Sequence, residues 1–153
     1  MTFTDSVRTC LRKKYVTFSG RASRSEYWWF ILFNILVMIG SVLILAASGL
    51  FNSIDPVTGT MDSPGGAAIV ALILCTLVYL AMILPSISVG VRRFHDRNLS
   101  GWWYLGAVIA SMIPFIGILV CIAILVITIL KGTEGPNKFG PDPLGVGDAE
   151  IFN

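Results

Sequence analysis

Three runs of this chain carry no charged side chain: Tyr27 to Phe51, Gly65 to Val91 and Trp102 to Leu130. Each is longer than the roughly 20 apolar residues that cross a bilayer core as a helix. The chain has only 13% charged residues, about half the usual share of a soluble domain, so it lacks the polar surface to cover a globule in water. The other architecture that crosses a membrane is the barrel, whose strands alternate apolar with polar side chains. These runs do not alternate. The expected fold class is an all-α membrane protein: a small bundle of three transmembrane helices, with spans at about 27–51, 66–91 and 102–130. A cleaved signal peptide is not expected, because the first run starts late and exceeds an h-region of about 7 to 15 residues.

The basic residues set the orientation. Arg8, Arg12, Lys13, Lys14, Arg21 and Arg24 precede the first run, and Arg92, Arg93 and Arg97 follow the second, so nine of the 11 basic residues lie there. The loop from Asn52 to Pro64 has none, but holds Asp55 and Asp62. By the positive-inside rule both basic segments are cytoplasmic, the N-terminus with them, and the Asn52 loop is outside. The tail holds Lys131 and Lys138 against Glu134, Asp142, Asp148 and Glu150.

Residues 1–20 form the expected cytoplasmic segment. Phe3, Val7, Cys10, Leu11, Tyr15 and Phe18 recur at helical spacing between basic residues, which reads as an amphipathic helix lying on the leaflet. Gly20 breaks it. Ser23 and Glu26 then fit a capping box for the first span. Tyr27, Trp28 and Trp29, and likewise Trp102, Trp103 and Tyr104, match the aromatic belt at one leaflet. Ser86, Ser88 and Gly90 near the end of the second span read as small residues for close helix approach.

The third run has two solutions within the membrane domain, residues 21–131. As one helix it would measure about 43 Å, against a core of about 30 Å. A single span, tilted and kinked at Pro114, is the first solution and leaves the tail outside. The second is a hairpin turning at Pro114 to Gly117, giving four segments. Its arms would be too short to cross, and its turn would need backbone partners. The single span is preferred. Residues 132–153 form a Gly/Pro-rich tail of turns.

Three blocks stand out together: GRASRSEYWWF at 20–30, RRFHDRNLSGWWYL at 92–105 and GTEGPNKFGPDP at 132–143, with IPFIG at 113–117 between the last two. In these the chain resembles the bacterial inner-membrane family known as domain of unknown function 805, from about Tyr15 to Pro143. The outer loop and third run are long for the pattern. The resemblance implies a small bacterial inner-membrane protein and brings no reaction with it.

The candidate site residues are Arg21, Arg24, Glu26, Arg92, Arg93, His95, Asp96 and Arg97, with Asn137, Gly140 and Asp142 as the tail motif. His95 and Asp96 suggest acid–base chemistry, but neighbours in a helix do not face one another. Asp96 is better matched to an arginine on another segment. One histidine is too few for a metal site, and Cys10, Cys75 and Cys121 have neither metal nor disulfide spacing; they read as small buried hydrophobes. No catalytic residue, cofactor or metal is assigned. The arginines fall at headgroup level, where anionic lipid attracts them by about 1 kcal/mol each. Arg21, Arg24 and Glu26 are expected to pair with Arg92, Arg93 and Asp96. The expected partners are the bilayer, anionic phospholipid included, and a protein partner or second copy, with no nucleic acid. The function expected is a non-enzymatic scaffold, adaptor or envelope-related protein. The alternatives are a membrane enzyme or binding protein acting on an anionic headgroup, and a transporter subunit. Against the last, none of the three runs holds an ionisable group to line a pathway.

Overall fold

The computed structural model describes residues 1–53, 57–60 and 63–145. Asp55, Asp62, Asp148 and Glu150, which enter the charge pattern above, lie outside these residues. Among the described residues there are five α-helices and no strand: α1 (Phe3–Arg8), α2 (Arg24–Ala47), α3 (Gly66–Asp96), α4 (Gly101–Ala110) and α5 (Ile116–Ile129). A π-helical stretch, Thr9–Lys13, continues α1, and a 3-10 turn, Leu50–Ser53, follows α2.

Helices α2 and α3 are long and apolar enough to cross a membrane. At 24 and 31 residues they measure about 36 and 46 Å. Only 6% and 11% of their most apolar stretches are buried, so these are not core helices of a globule. Helix α3 is longer than a bilayer core by several turns, and its last residues are the charged RRFHD.

The chain divides into two compact units. One is Leu32–Ile83. It holds no lysine or arginine, and its leucines, isoleucines and valines are largely exposed. Within it, the Cys75 thiol approaches the Ser41 carbonyl at 3.9 Å.

The other unit is Met1–Ile31 with Leu84–Asn153, and all 11 basic residues fall in it. Its core is the end of α3: Pro85, Ser88, Val89, Val91, Phe94 and the charged residues between them are buried. Small residues there admit other segments. The Ser88 hydroxyl donates to the carbonyls of Lys14 and Thr17 at 3.1 and 2.7 Å, tying the N-terminal segment to α3. Gly90 meets the Tyr104 ring of α4 so closely that an added Cβ would overlap it. That ring is held edge-on by Phe94 at 5.2 Å and cannot simply swing away. Gly90→Ala is therefore expected to cost about 1–3 kcal/mol, as overpacking does, seen as a lower melting temperature in detergent with unchanged helix content.

The N-terminal helix departs from expectation. It begins with a capping box in which Thr2 and Asp5 bond reciprocally, and its regular part stops at Lys13 rather than reaching Phe18. Its buried side chains are Ser6 and Cys10, whereas Val16 and Phe18 are exposed. The Ser6 hydroxyl donates to the Glu26 carbonyl at 2.6 Å. On the face that apolar spacing assigned to lipid, Ser6 and Cys10 are covered by protein, while Phe3, Val7, Leu11 and Tyr15 are half-buried.

The preferred single third span is corrected as well. The run is two helices, α4 and α5, of 10 and 14 residues, and the residues after α5 return to the end of α3. Proline at 114 has no N–H to continue α4 and disfavours helical geometry at the residue before it. Phe115 then takes a left-handed φ of 65°, which reverses the chain. Gly117 lies against the Ser111 carbonyl, where any Cβ would overlap it. Of the two aromatic clusters, Trp102 and Trp103 are exposed, but Tyr27 is buried.

Candidate functional site

The last two turns of α3 present Arg92 and Arg93 in different directions, because adjacent residues do not share a helix face, whereas residues three apart do. Arg93 and Asp96 are such a pair, and their side chains form an ion pair. Arg21 completes it from the segment before α2: its Nε donates to Asp96 Oδ1 at 2.9 Å. One carboxylate thus holds two guanidiniums, with side chains only 1% and 4% exposed.

The remaining donors of both arginines go to backbone. Arg21 donates to the carbonyls of Gly135 at 2.6 Å and Thr133 at 2.5 Å. Arg93 donates to Thr128 at 3.0 Å, Leu130 at 2.5 Å and Ala22 at 3.4 Å. Thr128 and Leu130 lie at the C-terminal end of α5, where the helix dipole favours a cation. Three buried arginines face two buried carboxylates, Glu26 and Asp96; these carbonyl dipoles offset the surplus positive charge.

Arg92 belongs to a second cluster. It pairs with Glu26 and approaches the Cys10 sulfur at 3.9 Å. The Ser23 cap is present, since Ser23 Oγ accepts the Glu26 N–H at 3.2 Å, while the Glu26 carboxylate is turned onto Arg92. Burial pushes the Cys10 thiol up to about 11 from 9.0, and the Glu26 charge acts in the same direction. The folded chain therefore keeps this proton after the unfolded chain has lost it. The contribution to stability is complete below pH 9 and is lost as pH rises from there towards 11. Cys10 is expected to resist iodoacetamide in the native protein at pH 8 and to react after denaturation, as read by peptide mass spectrometry.

The tail closes over the end of α3, whose last carbonyls have no partners within the helix. The Thr133 N–H and hydroxyl donate to the Asp96 carbonyl at 2.8 and 3.1 Å. Asn137 Nδ2 donates to the His95 carbonyl at 2.9 Å. The His95 ring stacks on Phe139 at 3.9 Å, and its Nδ1 lies 3.1 Å from the Gly20 carbonyl. Asn137 and Gly140 exchange backbone bonds at 3.0 Å. The Asp142 carboxylate accepts the N–H groups of Leu144 and Gly135 at 2.9 and 3.1 Å, which hold it below the usual carboxylate range. Gly132 passes so near Asp96 that a Cβ there would overlap its carboxylate.

The structure thus gathers Arg21, Arg93 and Asp96 into one cluster and Glu26 and Arg92 into another, with His95, Asn137, Gly140 and Asp142 building the lid. Arg24 is exposed, and Arg97 is half-buried with a bond to the Lys131 carbonyl. Cys10, Ser6, Thr128, Thr133 and Phe139 were absent from the sequence-based site. Thr133 and Phe139 lie inside the GTEGPNKFGPDP block, which was the available signal. Among the described residues, no group of three or more His, Cys, Asp or Glu could hold a metal. A groove of about 400 Å³ lies between the N-terminal segment and the tail, lined by Met1, Lys14, Arg21, Ser25, Glu26 and Asp142 among others.

Comparison with known proteins agrees with the membrane reading. The sequence profile of the family described as "Protein of unknown function (DUF805)" matches residues 15–141. Inner membrane protein YhaH of Escherichia coli (strain K12) is 40% identical over 131 residues, covering 86% of this chain and 90% of the relative. Inner membrane protein YhaI of the same strain is 38% identical over 131 residues, covering 86% and 89%. No solved structure matches.

Proposed function

The chain belongs to the DUF805 family, and we propose that it is a multi-pass inner membrane protein that works as a non-enzymatic adaptor, its N-terminus, second loop and tail forming one rigid cytoplasmic cap. The observation that carries this reading is the internal use of the buried charges. Arg21, Arg92 and Arg93 are committed to Asp96, Glu26 and backbone carbonyls, an arrangement that fixes a shape. The orientation is supported by all 11 basic residues lying in the unit that holds the cap, as the positive-inside rule asks of cytoplasmic segments. Arg8, Arg12, Lys13, Arg24, Lys131 and Lys138 are exposed around it and suit an anionic leaflet.

The second reading, a protein that binds or turns over an anionic headgroup, is favoured by the groove beside Met1, Lys14 and Arg21. One experiment separates the two. The purified protein is reconstituted in phosphatidylglycerol-containing vesicles and the lipid followed by mass spectrometry, while in-cell crosslinking reports protein partners. The adaptor reading expects unchanged lipid and a protein crosslinked at fixed stoichiometry. Lipid turnover that depends on His95 or Arg24 would contradict it.

A further inference from the structure

Helices α4 and α5 are apolar throughout, yet at about 15 and 21 Å neither reaches across a core of about 30 Å. Both outer ends are pinned to the same place. Gly101 starts α4 against Val91 and His95 of α3, and the end of α5 gives its Thr128 and Leu130 carbonyls to Arg93. The hairpin therefore leaves the charged cap and returns to it.

Most of the tip's backbone N–H groups are bonded within the chain, that of Phe115 excepted. Backbone polar groups in hydrocarbon must be satisfied within the protein. Ser111, Met112 and Ile113 donate to the carbonyls of Ala107, Ile109 and Ala110, and Ile116 and Gly117 to those of Pro114 and Ile113, all within 3.1 Å. The Ser111 hydroxyl donates to the Val108 carbonyl at 2.7 Å, and Pro114 has no N–H to satisfy. The side chains at the tip point outward and are apolar: Met112 is 82% and Phe115 89% exposed. At the base, the exposed Trp102 and Trp103 have the amphipathic rings that favour the headgroup boundary.

We infer that α4–α5 is a re-entrant hairpin that enters and leaves the bilayer through the face bearing the charged cap, its exposed surface covered by the acyl chains of that one leaflet. The chain then crosses the membrane with α2 and α3 only. This goes beyond the adaptor reading: it rests on the cap lying at one face, and not on what the cap does.

The test uses the full chain with Cys10, Cys75 and Cys121 replaced by alanine, after its melting temperature is shown to match the parent. Single cysteines are placed at the tip (Met112→Cys), in the tail (Lys138→Cys) and near the N-terminus (Thr4→Cys). Each is reconstituted in phosphatidylethanolamine–phosphatidylglycerol vesicles. The expected result has three parts: a fluorophore at 112 is quenched most by phospholipids spin-labelled deep in the chain, an impermeant maleimide reaches 112 from neither side, and 138 and 4 are labelled from the same side. Labelling of 112 from the side opposite 138 would mean a crossing hairpin. Labelling of 138 and 4 from opposite sides would mean a single span. Weak quenching at 112, with energy transfer between copies, would mean a second copy covers this surface. Each of these three overturns the inference.

Discussion

Asp96→Ala lowers the amount of folded protein in the membrane several-fold, the largest effect expected of any single substitution in the cap. Asp96 is the one carboxylate paired with both Arg21 and Arg93, and all three side chains are at least 95% buried. Removing it leaves two guanidiniums in a dry site without a counter-charge. Breaking a buried pair in this way costs about 3–5 kcal/mol, a large part of the stability of an ordinary domain. Asp96→Asn keeps two polar atoms at the same place and is expected to fall between the parent and Asp96→Ala. Gly132→Ala should act on the same centre without touching a charge, because its methyl group would displace the Asp96 carboxylate. Quantitative blotting of the membrane fraction and melting in detergent report these effects. Parental level and melting temperature in Asp96→Ala would remove the pairing from the account.

The second large effect is expected at Glu26, with an informative rescue. Arg92 is fully buried, and its Nε has no hydrogen-bond partner among the described residues. Glu26→Ala would leave it without a counter-charge and with only the Cys10 sulfur near it, again at a cost of about 3–5 kcal/mol. Replacing both members, as Glu26→Met with Arg92→Met, removes the buried charge altogether and is expected to restore most of the stability, since apolar replacements of a buried pair are often neutral or better. The cycle of two single variants and the double isolates the coupling. Additive losses would mean that the two side chains do not depend on one another.

These variants also bear on how far the sequence could be read. The two spans and the charged blocks were legible because lipid imposes length and apolarity, and because arginines gathered beside apolar runs have few physical readings. That Arg21 and Asp96 belong together was legible from complementary charge. The fate of the third run was not. A lipid-facing hairpin and a lipid-facing span need the same apolar composition, and the deciding features, φ at Phe115 and the approach of Gly117 to Ser111, are backbone geometry. The carbonyl contacts of the arginines were hidden for a related reason. Thr128, Leu130, Thr133 and Gly135 contribute carbonyls to the arginines, and every residue carries a carbonyl, so no side chain marks them. At the N-terminus the apolar period drew attention to Phe18, which is exposed, and away from Ser6, whose single hydroxyl docks the helix.

The measurement that bears most directly on the cap is the compartment of each chain end. Reporters active only outside the cytoplasm, and others fluorescent only inside, would be joined before Met1 and after Asn153 in separate fusions. Thr133 on Asp96 and Asn137 on His95 require the tail to share the compartment of the second loop, and Ser88 on Lys14 and Thr17 requires the same of the N-terminus. Both ends are therefore predicted to report the cytoplasm. Ends on opposite sides would contradict the cap, because the tail and the N-terminal segment could not then both bond to the end of α3.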